Sequence, residues 1–123
     1  MQTQLSRAAA INKALGHRGR LRVIALLAHG QMSVCQMAAA LAMPVSTLSG
    51  LLLDLRRAGL VSEERRGKWV FYSLPGEVSS RVLLDVILMG VMEDPQVRKD
   101  AALAGKQRRA TPAAACAALK EKP

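Results

Sequence analysis

Two cysteines are the most reactive side chains in this sequence, and they lie far apart along the chain. Cys35 follows a Ser-Val pair, whereas Cys116 lies close to the carboxyl end. Thiolates bind soft metals and metalloids, and they are also the groups that oxidants attack. The chain therefore carries two candidate ligands or two candidate redox groups, and the fold decides whether they meet.

The residues around Cys35 favour its reactive thiolate form. Ser33 and Gln36 fit the pattern of a helix capping box, with Ser33 as the N-cap and Gln36 at the third helical position. Cys35 then lies in the first helical turn, where unpaired N–H groups and the helix dipole favour an anion. Because the same position also suits a small buried hydrophobic residue, both interpretations stay open on the residues alone.

A second group of side chains indicates nucleic-acid binding. Between Pro44 and Ala58, leucines recur at helical spacing on one face and small polar residues occupy the other. Gly59 fits the residue that ends such a helix. A thin polar face can enter the major groove of DNA, where hydroxyl groups meet several base edges. The candidate groove contacts are Ser46, Thr47, Ser49 and Gly50.

Basic residues continue into a predicted β-hairpin. The β-prone run from Trp69 to Tyr72 follows a turn at Gly67 and holds all three aromatic residues, which we expect to pack the hairpin against the helices. Cations at a hairpin tip meet DNA phosphates. Arg56 and Arg57 either contact phosphate or complement the dipole of the preceding helix. The candidate phosphate contacts are Arg56, Arg65, Arg66 and Lys68.

These residues need a helical scaffold, which the rest of the chain supplies. Helices are predicted over residues 1–15 and 18–28, and the segment 79–92 is apolar on nearly all sides. In a chain of 123 residues, a second protomer is the natural cover for such a segment. Asp94 and Pro95 then start a short helix that ends near Gly105.

The predicted fold is mainly α-helical with a small β-hairpin wing, and it is dimeric through its terminal helices. Residues 1–105 form a winged helix-turn-helix domain, and residues 106–123 form a basic tail that we expect to be mobile. No run of apolar residues is long enough for a membrane span. We therefore expect a cytoplasmic protein without a membrane partner, whose reducing surroundings keep both cysteines as thiols.

The net charge of +9 is unevenly distributed. Residues 1–76 contain ten basic and three acidic residues. Residues 77–105 contain three basic and five acidic residues, and residues 106–123 contain five basic residues and one acidic residue. The basic residues 1–76 and 106–123 indicate that the protein binds a polyanion. The acidic residues 77–105 indicate a separate contact surface.

The segment from Lys13 to Pro75 resembles the ArsR/SmtB family of winged-helix repressors. The resemblance is carried by Ala-Leu before a basic helix start, Ser-x-x-Ser in the second helix, the Ala-Gly-Leu-Val exit and the Gly-Lys-Trp-Val hairpin. It implies a homodimeric repressor that binds double-stranded operator DNA. At Gly50 and Leu51 most members carry a basic residue and a His, so the resemblance implies altered base readout here.

The resemblance also implies a role for the cysteines. Ser33-Val34-Cys35 occupies the position of a Cys-Val-Cys pair in arsenic-sensing members. Trivalent arsenic and antimony prefer three thiolates, so the implied inducer site combines Cys35 and Cys116, with thiols from two protomers. Release from DNA by arsenite or antimonite is the expected response, without a constitutive cofactor. Residues 77–105 contain no His, which argues against the zinc site of other members.

Other interpretations stay open. Cys35 could be an oxidation switch, or the regulator could sense nothing through its thiols. A winged-helix module that binds RNA or protein is the alternative from a different class. An enzyme is not expected, because neither His17 nor His29 has a partner suited to acid–base work and no Gly-rich phosphate loop occurs.

Overall fold

The structure, a computed structural model, describes residues 3–120 as seven helices and three short strands. The helices are α1 (Gln4–Leu15), α2 (Arg18–Leu27), α3 (Val34–Leu41), α4 (Val45–Arg57), α5 (Val78–Met89), α6 (Pro95–Arg108) and α7 (Pro112–Lys120). The strands are β1 (Met32–Ser33), β2 (Ser62–Arg66) and β3 (Trp69–Ser73). The predicted class, mainly α with a hairpin wing, is confirmed.

Helices α3 and α4 form the helix-turn-helix. The chain turns at Ala42, which adopts a left-handed conformation with φ of 53°, and the two helix axes differ by 111°. Pro44 is the N-cap of α4, so the helix begins at Val45, one residue later than the predicted start at Pro44. Gly59 follows the end of α4 with φ of 74°, as the sequence indicated.

One core joins the helices. The leucines of α4 that recur at helical spacing are buried, and they pack with apolar residues of α2 and α3. The buried leucines are Leu48, Leu51, Leu52 and Leu55. Between residues 3 and 120 no single helix is long and apolar enough to cross a membrane, although α3 and α4 together pass on length and composition.

The wing is a three-stranded antiparallel sheet in the order β1-β3-β2. The hairpin of β2 and β3 lies where the sequence predicted it, but β1 was missed because it has two residues. In β1, Met32 pairs with Tyr72 and Ser33 pairs with Phe71. The wing is therefore attached directly to the start of α3.

Three arginines close the carboxyl ends of three helices. Arg20 donates to the last carbonyls of α1, Arg22 to the last carbonyl of α3, and Arg108 to carbonyls at the end of α2. Carbonyls in the last turn of a helix have no partner four residues further along it, and these arginines supply an additional donor there. Burial lowers the pKa of Arg108, so this cation is held against a desolvation penalty.

A buried ion pair links α2 to α6. Both oxygens of Asp100 accept from Arg22 at 2.9 Å, and the Gln96 amide also donates to this carboxylate at 2.9 Å. Asp100 is only 2% exposed. Its hydrogen bond and charge raise the pKa of Arg22 above the ordinary value.

The end of the chain differs from the predicted mobile tail. Helix α6 continues past Gly105 to Arg108, and α7 packs against α3 with Ala115 buried. The physical reason is local: the Thr111 hydroxyl accepts from the N–H of Ala114, and an alanine-rich helix follows. The structure describes residues 112–120 of the predicted tail as a helix, and residues 121–123 lie outside the described range.

Helix α5 carries an apolar face that its own chain leaves open. Along one side of the helix, Val82, Val86 and Met89 are 56%, 63% and 83% exposed. Arg7 of α1 pairs with Glu77 at 3.5 Å, which places the first helix beside the start of α5. The expected burial of α5 on most sides therefore requires a second molecule.

Candidate nucleic-acid interface and thiol site

The predicted groove contacts lie together on the exposed face of α4, opposite its buried leucines. Ser46, Thr47 and Ser49 are exposed, and no hydrogen bond occupies their hydroxyls within the described part of the chain. A Cβ atom added at Gly50 would meet nothing within 4 Å. Packing within the chain therefore does not require a glycine there, and the missing side chain leaves this part of the exposed face low.

Two of the predicted phosphate contacts are already engaged. Arg56 pairs with Glu63 at 2.8 Å. Arg66 pairs with Glu64 at 3.1 Å, donates to Gln31 at 2.7 Å and lies over a phenyl ring. Hydrogen bonds from Arg66 and Gln31 lower the pKa of Glu64. Each of these arginines keeps unused N–H donors, but its neighbouring carboxylate competes with phosphate for the positive charge.

The other two wing cations are more available. Arg65 is exposed and has no ion pair among residues 3–120. Lys68 extends from the hairpin tip, 5.1 Å from the centre of the Trp69 ring. Arg65 and Lys68 are therefore the wing residues best placed to meet DNA phosphates.

The fold brings one further basic residue close to the end of α4. Lys13 of α1 lines a groove there with Arg57 and with the ion-paired Arg20 and Asp54. Its distance along the chain from α4 hid this proximity, and the only signal was the excess of basic residues in the first 76 positions.

The aromatic residues support the wing. Tyr72 packs against the core, and its hydroxyl donates to Glu63 at 3.1 Å. Burial, and then the hydrogen bond to Glu63, raise the pKa of Tyr72 above the ordinary value. Phe71 lies beneath the Arg66 guanidinium. The expected packing of the hairpin against the helices is confirmed at Tyr72.

The capping box before Cys35 is present as predicted. The Ser33 hydroxyl accepts from the Gln36 N–H, and the Gln36 side-chain oxygen accepts from the Ser33 N–H at 2.9 Å. Cys35 consequently lies at the second position of α3, in the first turn.

Cys35 is joined to Cys116 by a disulfide bond, with their Cα atoms 5.0 Å apart. The prediction that both cysteines stay as thiols is not met in this structure. The reason is α7, which folds back along α3 and closes a sequence separation of 81 residues. The two predicted site cysteines are thus neighbours within one chain.

Gln36 also fixes the position of α6 relative to α3. Its amide nitrogen donates to the carbonyl oxygens of Gln107 at 3.2 Å and Ala110 at 2.9 Å. These carbonyls lie at the end of α6, just before the turn that leads to Cys116. One buried side chain therefore connects the cap of the first cysteine's helix to the segment that carries the second.

The two cysteines line a groove of about 500 Å³. Its other walls are apolar and come from the turn before α4, the first residue of α4, the wing and α7. These wall residues are Met43, Pro44, Val45, Trp69 and Leu119. The groove therefore places the sulfur atoms beside both elements that would read DNA.

The described residues contain no group of three or more His, Cys, Asp or Glu that could hold a metal ion. The structure brings together the two predicted metalloid ligands, Cys35 and Cys116, as a disulfide. In this form neither sulfur is a thiolate. A three-thiolate site would need the reduced pair and a sulfur from a second chain.

The helix-turn-helix, its open polar face and the basic wing define a winged helix-turn-helix DNA-binding transcriptional regulator rather than an enzyme. A family model described as "Bacterial regulatory protein, arsR family" matches residues 17–63. The chain belongs to the ArsR family.

Three known proteins illustrate this relationship. The biofilm growth-associated repressor of Agrobacterium fabrum is 35% identical over 68% of this chain and 71% of its own length. The arsenic resistance transcriptional regulator ArsR1 of Pseudomonas putida is 36% identical over 68% of this chain, which spans 65% of that relative. The solution structure of a homodimeric winged helix-turn-helix domain from Mycobacterium bovis aligns with a TM-score of 0.66 at 30% identity, covering 77% of this chain and 92% of that one.

Proposed function

We propose that this protein is a homodimeric repressor in which Cys35 and Cys116 form a thiol–disulfide switch that controls DNA affinity. The observation that carries the proposal is the meeting of the two sulfurs in a groove walled by the start of α4 and by the wing. Closing the bond ties α7 to α3 beside the DNA-reading elements.

The switch follows ordinary thiol chemistry. In a reducing cytoplasm the resting pair is a dithiol, which binds operator DNA. An oxidant accepts two electrons from the two thiols, which lose two protons and form the disulfide. DNA affinity falls if the oxidised form favours an arrangement of α4 and the wing that matches DNA less well.

The open face of α5 supports the dimer. Contiguous apolar side chains on this helix suit an isologous contact with a second copy. A twofold dimer sets two recognition helices about one DNA turn apart, which matches a palindromic operator. The homodimeric state of the M. bovis relative supports the same arrangement.

The test is a salt-titrated gel shift on the DNA upstream of the protein's own gene, with reduced and oxidised protein. The reduced protein is expected to prefer this DNA over a random duplex and to lose affinity steeply with salt. Oxidation is expected to weaken binding about tenfold or more, a coupling in the usual range. Cys35→Ser and Cys116→Ser should each bind DNA like the reduced protein under both conditions.

Two results would contradict the proposal. If the oxidant still released the Cys35→Ser variant from DNA, the Cys35–Cys116 pair could not be the switch. Equal affinity for the upstream DNA and for a random duplex, with tighter binding to RNA, would favour the RNA-binding module instead.

Arsenite or antimonite is the second candidate signal. The reduced pair would offer two adjacent thiolates, and the similarity to the arsenic resistance regulator of P. putida supports this choice. The third sulfur would come from the partner protomer. Release by arsenite under reducing conditions, without disulfide formation, distinguishes this candidate from the oxidation switch.

A further inference from the structure

The groove at the cysteines has a chemical character that the thiol switch alone does not explain. Apart from the sulfur atoms, its walls are the apolar side chains of Met43, Pro44, Val45, Trp69 and Leu119. A volume of about 500 Å³ is far larger than a diatomic or triatomic oxidant needs. It falls within the range of pockets that hold small organic molecules.

The disulfide itself restricts the kind of reagent. Closing the pair removes two electrons and two protons from the two thiols, so the signal of the proposed switch is a two-electron oxidant. An alkylating electrophile or a metalloid would instead stay attached to sulfur. An oxidant with an apolar body would suit both the chemistry of the two sulfurs and the apolar walls of the groove.

We propose that the groove binds the apolar body of an organic hydroperoxide and presents its peroxide group to Cys35. An organic hydroperoxide, rather than hydrogen peroxide, is then the preferred oxidant of this protein. The inference rests on the proposed thiol switch and specifies its signal.

The reaction balances in two steps. The Cys35 thiolate attacks the terminal peroxide oxygen, the O–O bond breaks, and the alkoxide leaving group takes a proton to become an alcohol. The Cys35 sulfenic acid then reacts with the Cys116 thiol, forming the S–S bond and releasing water. Cys35 is the attacking residue because it lies in the first turn of α3, where the thiolate is favoured.

The apolar walls supply the selectivity. Burying one methylene group favours binding by about fourfold, so two buried groups exceed tenfold. Hydrogen peroxide has no apolar body and gains nothing from Val45 or Leu119. The rate advantage of an organic hydroperoxide should therefore depend on these walls, whereas the rate with hydrogen peroxide should not.

The experiment measures loss of free thiols in the reduced full-length protein with cumene hydroperoxide and with hydrogen peroxide. The second-order rate constant is expected to be at least about tenfold larger for cumene hydroperoxide. Val45→Thr preserves the shape of the wall and adds a hydroxyl, and Leu119→Asn adds an amide at similar size. Each should reduce the rate with cumene hydroperoxide several-fold and leave the rate with hydrogen peroxide unchanged.

Leu53→Asn is the matched control, because Leu53 is an exposed leucine of α4 outside the groove. It should leave both rates unchanged. Equal rates for the two peroxides in the wild-type chain, or a preference that survives both wall substitutions, would overturn the inference while leaving the thiol switch intact. Failure of both peroxides to form the disulfide would overturn the inference together with the switch.

Discussion

Gln36 makes hydrogen bonds that a carboxylate in the same place cannot make. Its oxygen completes the capping box at Ser33, and its nitrogen donates to two carbonyls at the end of α6. A glutamate would keep the first function and lose the second, because it has no proton to donate when ionised. The two roles of this side chain can therefore be separated by one substitution.

Gln36→Glu is expected to weaken closure of the disulfide. The carboxylate keeps the cap of α3 but faces the carbonyl oxygens of α6, so the segment carrying Cys116 loses its anchor. We expect the thiol–disulfide equilibrium constant to fall about tenfold, which corresponds to about 30 mV in midpoint potential. Titration of the pair against a glutathione buffer measures this change.

Gln107→Glu serves as the control for Gln36→Glu. It adds the same charge at the end of α6 but leaves the amide donor of Gln36 in place. A shift of equal size in both variants would show that charge, rather than the anchoring bond, sets the potential.

At the residue scale, local patterns were predictable from the residues themselves, whereas the meeting of the two cysteines was implied only by the family resemblance, and as a metalloid site with thiols from two protomers. The Ser33 cap, the place of Cys35 in the first turn and the exposed hydroxyls of α4 follow from spacing over a few residues. The disulfide to Cys116 depends on how α7 packs on α3, which no local pattern encodes.

Among the helices, part of the positive charge serves the fold instead of a ligand. Arg20, Arg22 and Arg108 donate to the carboxyl ends of three helices. Sequence composition counts these residues with the DNA-facing cations. Only the structure distinguishes an arginine that donates to carbonyls at the end of a helix from one that is free to contact phosphate.

Asp100→Ala is expected to be severely destabilising. It leaves the Arg22 guanidinium without its main partner and removes the link between α2 and α6. Arg22 is partly exposed and keeps its bond to the Leu41 carbonyl, so the loss of its charged hydrogen-bond partner should cost about 1.5–3 kcal/mol of unfolding free energy. Denaturant unfolding of the reduced protein measures the loss.

Asp85→Ala provides the matched comparison. Asp85 forms an exposed ion pair with Arg81 one helical turn away, at 3.3 Å. Such pairs contribute about 0.3–0.5 kcal/mol. Similar losses in the two variants would mean that the Asp100 pair does not hold α6 in place.

The helices and the hairpin were predictable from periodicity, apart from their exact ends. Strand β1 was missed because Met32 and Ser33 give no alternating pattern. Helix α7 was missed because its basic, alanine-rich composition also fits a mobile tail, and packing against α3 decides between the two.

On the scale of the whole molecule, the open face of α5 is the feature that a single chain leaves unsatisfied. Its exposed apolar residues share the helix surface with one exposed ion pair, between Arg81 and Asp85. The sequence indicated the need for a partner, since an apolar helix in a short chain requires cover.

Val86→Asp is expected to dissociate the dimer. A carboxylate at the centre of the apolar face loses its hydration without gaining a partner, so the dimer dissociation constant should rise about a hundredfold or more. Sedimentation equilibrium of the reduced protein measures it, and affinity for a two-site operator should fall with it. Leu53→Asp, on an exposed part of α4, is the control, and dissociation of both variants would point to unfolding instead.

The short strand β1 gives the molecule a stiff mechanical linkage. Ser33 belongs both to the ladder that holds Phe71 and to the cap of the helix that begins one residue later. No loop separates the wing from α3, because the residue that caps the helix is itself paired in the sheet. We therefore expect a movement of α3 at Cys35 to displace the wing with it.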